Sequence, residues 1–173
     1  DLADIVDKLI IEKKRMKRAR ERKLSIVVKK PKTSVPLVWC DYKKISHAIS
    51  NLVENAVHYT REGGLTITYV VDPSFVKFSV TDTGVGLAPG DEEKLFKKFS
   101  RGGRASDLRP DGSGLGLFIT KKIVEGNMGE IEVTSPGKNQ GSTFSFTVPI
   151  YKDQKVEKKQ REVSRKKIVI FKK

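Results

Sequence analysis

Asn51 and Asn55 stand four residues apart in HAISNLVENAVHYT, a segment whose apolar residues recur at helical spacing. Residues at this separation share one face of an α-helix, so their two carboxamide oxygens can reach one ligand. Magnesium bound to a nucleotide takes few protein ligands, and neutral amides suit it because the phosphates already supply negative charge. An isolated pair at this spacing more often only hydrogen-bonds nearby backbone, so the other motifs of the chain must decide its meaning.

Two glycine motifs follow the asparagine pair and extend the same chemistry. In DTGVGL, residues 82–87, Asp82 ends a predicted strand and offers an acceptor to an exocyclic amine such as that of adenine. Gly84 and Gly86 allow the backbone to approach a flat ring without an intervening side chain. In GSGLGL, residues 112–117, glycine-rich backbone leads into a predicted helix, whose first N–H groups can bind phosphate.

Other nucleotide and metal sites are excluded by features that the sequence lacks. The glycine spacing, and the polar residues before GSGLGL, differ from the dinucleotide-binding fingerprint, which follows a strand. No GxxxxGK[ST] segment occurs, which excludes the P-loop nucleotide hydrolases. Cys40 is the single cysteine, so neither a disulfide framework nor a cysteine zinc site is available, and a reducing compartment is favoured.

The elements that must position these motifs follow from apolar periodicity and turn residues. The predicted helices cover 2–22, 41–58, 91–98 and 115–125, with Asp41 as an N-cap. The predicted strands cover 24–29, 36–39, 65–71, 75–82, 129–135 and 142–150. On the helix at 41–58 we expect a buried stripe made of Tyr42, Ile45, Ile49, Leu52 and Ala56. A second stripe beside it consists of His47, Asn51, Glu54, Asn55 and His58.

The positive charge of the chain lies at its two ends. The formal net charge is +14, of which residues 1–32 and residues 151–173 contribute +7 each, while residues 33–150 sum to zero. A nucleic-acid-binding domain would be expected to show a basic face on its folded core, interleaved with aromatic residues. We therefore predict no specific nucleic-acid partner and interpret the ends as solvated segments, with attraction to an acidic surface as the alternative.

Taken together, these segments resemble the ATP-binding catalytic domain of sensor histidine kinases, within the larger family that includes gyrase and the heat-shock chaperones. NLVENAVHYT is similar to the N box, DTGVGL to the G1 box, FKKF to the F box, GSGLGL to the G2 box and GSTF to the G3 box. The resemblance implies an α/β (α+β) two-layer sandwich in which a mixed five-stranded sheet packs on three helices. The domain would cover residues 1–150, with a leading helix at 1–23, a flexible ATP lid at 88–113 and a basic tail or linker at 151–173.

The resemblance also implies roles for individual residues, with ATP and Mg²⁺ as the cofactors. Asn55 would be the principal metal ligand, assisted by Asn51, and Arg101 would reach the γ-phosphate, so these three form the catalytic set. Tyr59 would pack on the base, and Thr143 would support it through water. The full nucleotide-contacting set would be Asn51, Asn55, His58, Tyr59, Asp82, Gly84, Gly86, Leu87, Arg101, Gly112, Ser113, Gly114, Leu115, Gly116, Leu117 and Thr143. Phe96 and Phe99 would anchor the lid in the core.

Three residues of the helix at 41–58 bear on the type of reaction. Members of the larger family that hydrolyse ATP place a glutamate where Asn51 stands, and a neutral amide is a poor general base. We expect slow water attack and interpret Glu54, one turn off register, as a solvated residue. Histidine kinases usually have lysine in place of His58. An imidazole with its ordinary pKa of about 6.5 is mostly neutral at pH 7, so nucleotide binding is expected to tighten toward pH 6.

The resemblance implies that the chain is the catalytic half of a two-component sensor histidine kinase, which donates the γ-phosphoryl group to a histidine on a dimerisation domain absent from this chain. His47 and His58 are its only histidines, and neither is placed to be the acceptor. The implied partners are the phosphoacceptor hairpin of a parent kinase and, indirectly, a response regulator. We expect a monomeric, cytoplasmic chain whose parent can be membrane-anchored. An anti-sigma-type protein serine kinase and a regulatory nucleotide-binding domain without catalysis remain alternatives.

Overall fold

Residues 2–100 and 113–152 are described by the structure, a computed structural model. Five helices lie in these ranges: α1 (Leu2–Lys14), α2 (Lys17–Glu21), α3 (Tyr42–Tyr59), α4 (Glu92–Leu95) and α5 (Gly116–Gly126). Five strands lie there too: β1 (Ser25–Lys29), β2 (Gly64–Val71), β3 (Phe75–Asp82), β4 (Ile131–Thr134) and β5 (Ser142–Pro149).

The five strands form one mixed sheet in the order β1-β2-β3-β5-β4. β1 pairs with β2 in parallel, and the other three pairings are antiparallel. The register places Asp82, the last residue of β3, between Leu65 of β2 and Ser142, the first residue of β5. Because residues directly opposite one another in a sheet share a face, these three side chains point the same way.

One face of the sheet is apolar and is covered by helices. Inward residues alternate along β2, β3 and β5 as a half-buried sheet requires, and α1, α3 and α5 form the helical layer above them. The largest fully buried side chains are Phe78, Phe146, Leu2, Ile45, Ile49, Leu52, Leu65, Ile67, Val6, Val53, Val57 and Val76. The predicted two-layer sandwich, with a mixed five-stranded sheet and three main helices, is confirmed.

The helix α3 begins where the sequence predicts. The Asp41 carboxylate accepts a hydrogen bond from the Lys44 amide at 3.1 Å, which satisfies one of the free N–H groups of the first turn. Its buried face includes Ile45, Ile49, Leu52 and Ala56, but Tyr42 is 53% exposed, so the prediction that Tyr42 belongs to the buried stripe is wrong. Tyr42 is the first residue of α3, and the buried residues of the helix begin at Ile45.

Two further elements differ from the sequence prediction. The helix expected at 2–22 is divided into α1 and α2, because the amides of Arg15 and Met16 bond the carbonyls three residues back. The strand expected at 36–39 is only a single bridge between Val38 and Ile150. In the described part of the chain, no helix combines the length and the apolar character needed to cross a bilayer.

Candidate functional site

The second half of α3 carries four of the predicted site residues. Asn55 is 6% exposed, while Asn51, His58 and Tyr59 are half-buried. The helix ends at Tyr59 because Thr60 adopts an extended conformation, with a φ of −98° and a ψ of 120°, although its amide still bonds the Ala56 carbonyl at 3.1 Å. The end of α3 lies beside the end of β3, where the chain leaves the sheet, since the Val85 amide bonds the Tyr59 carbonyl.

Asp82 is the buried carboxylate at the end of β3. It is 4% exposed, and its Oδ1 accepts the Gly84 amide at 2.8 Å. The Ser142 amide and hydroxyl also donate to the carboxylate. Burial raises the pKa of Asp82 above its ordinary value, and the hydrogen bonds from Gly84 and Ser142 oppose that rise. A carboxylate held in this way is an oriented acceptor with little surrounding water, as recognition of an amine requires.

The glycines of the 82–87 turn allow close packing of backbone against backbone. A Cβ added to Gly84 would lie 2.4 Å from the Tyr59 carbonyl oxygen, and one added to Gly86 would lie 2.0 Å from that of Gly137. Gly86 also has a φ of +61°, which L side chains rarely adopt. The Val85 amide donates to the Tyr59 carbonyl at 3.2 Å, so the turn is tied directly to the end of α3.

The loop between β4 and β5 supports the turn from behind, a role that the sequence analysis missed. The Ser135 hydroxyl accepts the Leu87 amide at 3.0 Å and donates to the Gly141 carbonyl at 2.7 Å. The amides of Asn139 and Gly141 donate to the Val85 and Gly84 carbonyls at 2.7 and 3.0 Å. The serine and glycines of TSPGKNQGS were the available signal, since such clusters form ordered turns.

The first turns of α5 form the opposite side of the site, against Asn51. The Asn51 Nδ2 donates to the Thr120 hydroxyl at 2.7 Å, and that hydroxyl bonds the Gly116 carbonyl at 3.0 Å. A Cβ added to Gly116 would lie 2.7 Å from the Asn51 Oδ1, so only glycine leaves room for the carboxamide. The asparagine-bearing helix and the GSGLGL segment are therefore in direct contact.

The rest of the GSGLGL segment and the lid are described only in part. Gly114, with a φ of +68°, packs on the backbone of Phe99, and the Ser113 hydroxyl accepts the Leu115 amide at 3.3 Å. Leu117 is half-buried against the core. Arg101 and Gly112, both predicted to contact nucleotide, lie outside the described residues.

The two lid phenylalanines differ in their environment. Phe96 is half-buried against the core, and Lys121 of α5 lies 5.9 Å from the centre of its ring. Phe99 is 72% exposed with a φ of +59°, so the prediction that it anchors the lid in the core is wrong. Its unusual backbone conformation turns the chain toward Gly114 and directs the side chain outward.

Thr143 does not share the face of Asp82. Neighbouring residues of a strand point to opposite faces, and the Thr143 hydroxyl lies 2.9 Å from that of Thr81, on the side away from the helices. Ser142 instead reaches the carboxylate. The expected contact of Thr143 with the base therefore does not fit this geometry. The alternation of Phe144, Phe146 and Val148 in the sequence already indicated that the even-numbered residues of this strand face the helices.

Glu54 is held by an ion pair, contrary to the expectation of a solvated residue. Its Oε1 accepts Lys13 Nζ at 2.8 Å and the Ser50 hydroxyl at 2.9 Å. Lys13 is 6% exposed; burial acts to lower its pKa, but hydrogen bonds to Glu54 and Glu12 outweigh burial and raise it. A carboxylate engaged in this way is a poor base for activating water.

His58 is oriented by the backbone of its own helix. Its Nδ1 lies 2.8 Å from the Glu54 carbonyl oxygen. Because a carbonyl can only accept, Nδ1 carries the hydrogen, and the neutral ring has its lone pair on Nε2. Protonation would convert Nε2 from an acceptor into a donor, the form that favours phosphate.

The donor set fits magnesium only when a nucleotide is also bound. Within residues 2–100 and 113–152, no group of three or more His, Cys, Asp and Glu side chains could hold a metal ion. The oxygens of Asn51 and Asn55 are hard, neutral donors, which suit magnesium when phosphate supplies the charge. Asn55, Asn51 and the first turn of α5 are therefore the residues that would hold a magnesium–triphosphate group.

Known proteins with similar sequences include a sensory kinase and a virulence sensor protein. The family described as histidine kinase-, DNA gyrase B-, and HSP90-like ATPase matches residues 40–152. The adaptive-response sensory kinase SasA of Crocosphaera subtropica is 39% identical over 135 residues, covering 76% of this chain and 34% of SasA. The virulence sensor protein BvgS of Bordetella bronchiseptica is 36% identical over 132 residues, covering 73% of this chain and 11% of BvgS. The chain thus spans about a tenth to a third of the length of these curated relatives.

Solved structures with a similar fold include two that are named histidine kinases. Full-length ShkA in complex with AMPPNP has a TM-score of 0.74 and 27% identity, covering 88% of this chain and 31% of ShkA. The Acinetobacter baumannii histidine kinase AdeS has a TM-score of 0.66 and 26% identity, covering 88% of this chain and 66% of AdeS. The mycobacterial sensor histidine kinase MprB, at 23% identity and a TM-score of 0.74, shares the fold.

Proposed function

Because the chain belongs to the histidine kinase-, DNA gyrase B-, and HSP90-like ATPase family, we propose that it binds Mg·ATP and transfers the γ-phosphoryl group to a histidine on the dimerisation hairpin of a parent sensor kinase. The observation that carries this proposal is the buried Asp82, which ends β3 beside the end of α3. The helix α3 carries Asn51 and Asn55. This arrangement offers an adenine acceptor at the end of β3 and hard oxygen ligands on α3.

Each part of the site has a role in the proposed complex. Asp82 accepts the adenine amine, with Ser142 and Gly84 holding the carboxylate in place. Tyr59 lies beside the base, and the amides at the start of α5 face the phosphates. The oxygens of Asn55 and Asn51 hold the metal, whose charge offsets that of the phosphates during transfer. Arg101 would add a further positive charge at the γ-phosphate.

The residues around the phosphates favour transfer to a protein over transfer to water. Asn51 occupies the position from which a glutamate would activate water, and its amide is a poor base. Glu54 is engaged by Lys13 and Ser50. Positioning and charge neutralisation therefore supply the catalysis, and the acceptor must bring its own nucleophile. His47 and His58 both lie on α3 and are not proposed as acceptors.

The proposal is tested by incubating the chain with a dimerisation-hairpin fragment and γ-labelled ATP. Acid-labile label on a hairpin histidine is the expected result, and Asn55→Ala is the matched control that should abolish it. Acid-stable label on a serine of a partner protein would instead indicate a serine kinase of the anti-sigma type. Nucleotide binding without labelling of any partner would indicate a regulatory domain.

The proposed domain covers residues 1–150, with residues 151–173 as a basic tail or linker. In the proposed signalling pathway a response regulator receives the phosphoryl group from the hairpin histidine. We place this chemistry in the cytoplasm, where ATP is available.

A further inference from the structure

The Thr120 hydroxyl has two partners whose chemistry fixes the orientation of Asn51. Thr120 is 1% exposed, and its Oγ1 lies 3.0 Å from the Gly116 carbonyl and 2.7 Å from the Asn51 carboxamide. A hydroxyl has one hydrogen, and the carbonyl can only accept, so that hydrogen is directed to Gly116. The Thr120 lone pair must therefore accept from Asn51, which places the amide nitrogen, and not the oxygen, at Thr120.

The Asn51 oxygen is consequently directed away from Thr120 and lies against the first residue of α5. A Cβ added to Gly116 would be 2.7 Å from Oδ1 and 3.2 Å from Nδ2, so the carboxamide packs directly on this glycine. The first residues of a helix have N–H groups without intrahelical partners, and these groups attract phosphate. The oxygen thus lies at the end of α5 where the phosphates of a nucleotide would be bound.

We propose that Thr120 is a positioning residue, whose hydroxyl holds the Asn51 carboxamide with its oxygen toward the magnesium ion of a bound nucleotide. This inference rests on the proposed Mg·ATP function and adds a residue that does not itself contact the ligand. Rotating the carboxamide by 180° would place its oxygen at Thr120 and force the hydroxyl to abandon the Gly116 carbonyl. Because Thr120 is buried, water cannot replace the lost hydrogen bond at no cost, and the observed orientation is favoured about fivefold to tenfold.

The test compares Thr120→Val, which keeps the shape and removes the hydroxyl, with Thr120→Ser, which keeps the hydroxyl. Binding of a non-hydrolysable ATP analogue is measured by calorimetry in Mg²⁺ and in EDTA, and the ratio of the two affinities is compared. We expect Thr120→Val to reduce this ratio about fivefold to tenfold, and Thr120→Ser to retain it.

A matched control is available in Thr60. Thr60 is also fully buried, and its hydroxyl also bonds the carbonyl four residues back, Ala56, at 2.7 Å. Thr60→Val therefore removes the same kind of intrahelical bond without touching a carboxamide. It should leave the ratio of the affinities in Mg²⁺ and in EDTA unchanged. In an Asn51→Ala background, Thr120→Val should have no further effect on the ratio, because the group that it positions is gone.

A second measurement is independent of nucleotide. The side-chain NH₂ resonances of Asn51, followed by ¹H–¹⁵N NMR in the free protein, should shift and exchange faster in Thr120→Val but not in Thr120→Ser. A wild-type protein that does not bind the analogue, or binds it equally with Mg²⁺ and EDTA, would overturn both the proposed function and this inference. Magnesium-dependent wild-type binding with the same ratio in Thr120→Val would overturn the inference alone.

Discussion

Replacing Asp82 by Asn tests the adenine assignment most directly, because the change preserves shape and removes one charge and one acceptor. The Asn oxygen can still accept the Gly84 amide, which donates to Asp82 Oδ1 at 2.8 Å. The new NH₂ group, however, is a donor that faces the Ser142 amide, or the adenine amine, where the carboxylate had accepted. A buried charge-assisted hydrogen bond contributes about 1.5–3 kcal/mol, so ATP affinity should fall on the order of 10- to 150-fold.

The same substitution should change the pH dependence of stability. Burial raises the pKa of Asp82 above its ordinary value of 3.8, so the folded protein binds this proton more tightly than the unfolded chain does. The stabilisation from protonation is therefore complete below about pH 3.8 and is lost as pH rises through the folded-state pKa. Relative to Asp82→Asn, the wild type should lose stability over that range, and other carboxylates cancel in the difference.

Calorimetric titration with ATP and urea unfolding from pH 3.5 to pH 7 measure the two effects. Thr143→Val is the control, since Thr143 is half-buried and directly follows Ser142, the strand partner of Asp82, but faces the other side of the sheet. It should keep wild-type affinity. Unchanged ATP affinity in Asp82→Asn would refute the adenine assignment. A stability difference that does not vary with pH would refute the argument from burial.

Three further predictions concern neighbouring positions. Ser142→Ala should weaken ATP binding severalfold, because Asp82 loses its hydroxyl donor. Equal ATP affinity in Ser142→Ala and the wild type would contradict the assignment of Ser142 and Asp82 to the same face of the sheet. Wild-type ATP affinity should increase from pH 8 to pH 6 as the imidazole of His58 gains charge, whereas the affinity of His58→Lys should change little over this range. The same pH dependence in ATP titrations of the two proteins would reject a role of His58 in binding phosphate. Tyr69→Phe should leave stability unchanged or raise it by up to about 1 kcal/mol, because the Tyr69 hydroxyl is buried without a hydrogen-bond partner among the described residues. Urea unfolding checks this last expectation, and a loss above about 1 kcal/mol would reveal a partner for the hydroxyl.

Much of the fold follows from local patterns in the chain. Helical spacing of apolar residues and the Asp41 cap predict α3, and period-two alternation predicts β2, β3 and β5, because each pattern depends only on near neighbours. The turn at 82–87 can also be predicted from the sequence, because Gly86 has a positive φ, which residues with a side chain rarely adopt.

Other features depend on contacts between distant parts of the chain, and the sequence prediction failed there. The helix expected at 2–22 breaks after Lys14, although neither glycine nor proline marks the place. Lys13 instead pairs with Glu54, 41 residues away, and Arg22 Nη1 donates to the Thr60 carbonyl at 2.6 Å. A single straight helix is a local preference, and these contacts with α3 favour two segments over one.

The residue types and their spacing by themselves determined that this chain has an asparagine-bearing helix, a buried-strand aspartate and glycine turns, because short-range geometry and side-chain chemistry require nothing more. Which atoms meet depends on how distant segments pack against one another. The tertiary structure places Asn51 on Thr120, 69 residues away, and Ser142, not Thr143, on Asp82. The packing of helices and the register of strands choose among faces that are equivalent in local energy, and that choice assigns each polar side chain its partner.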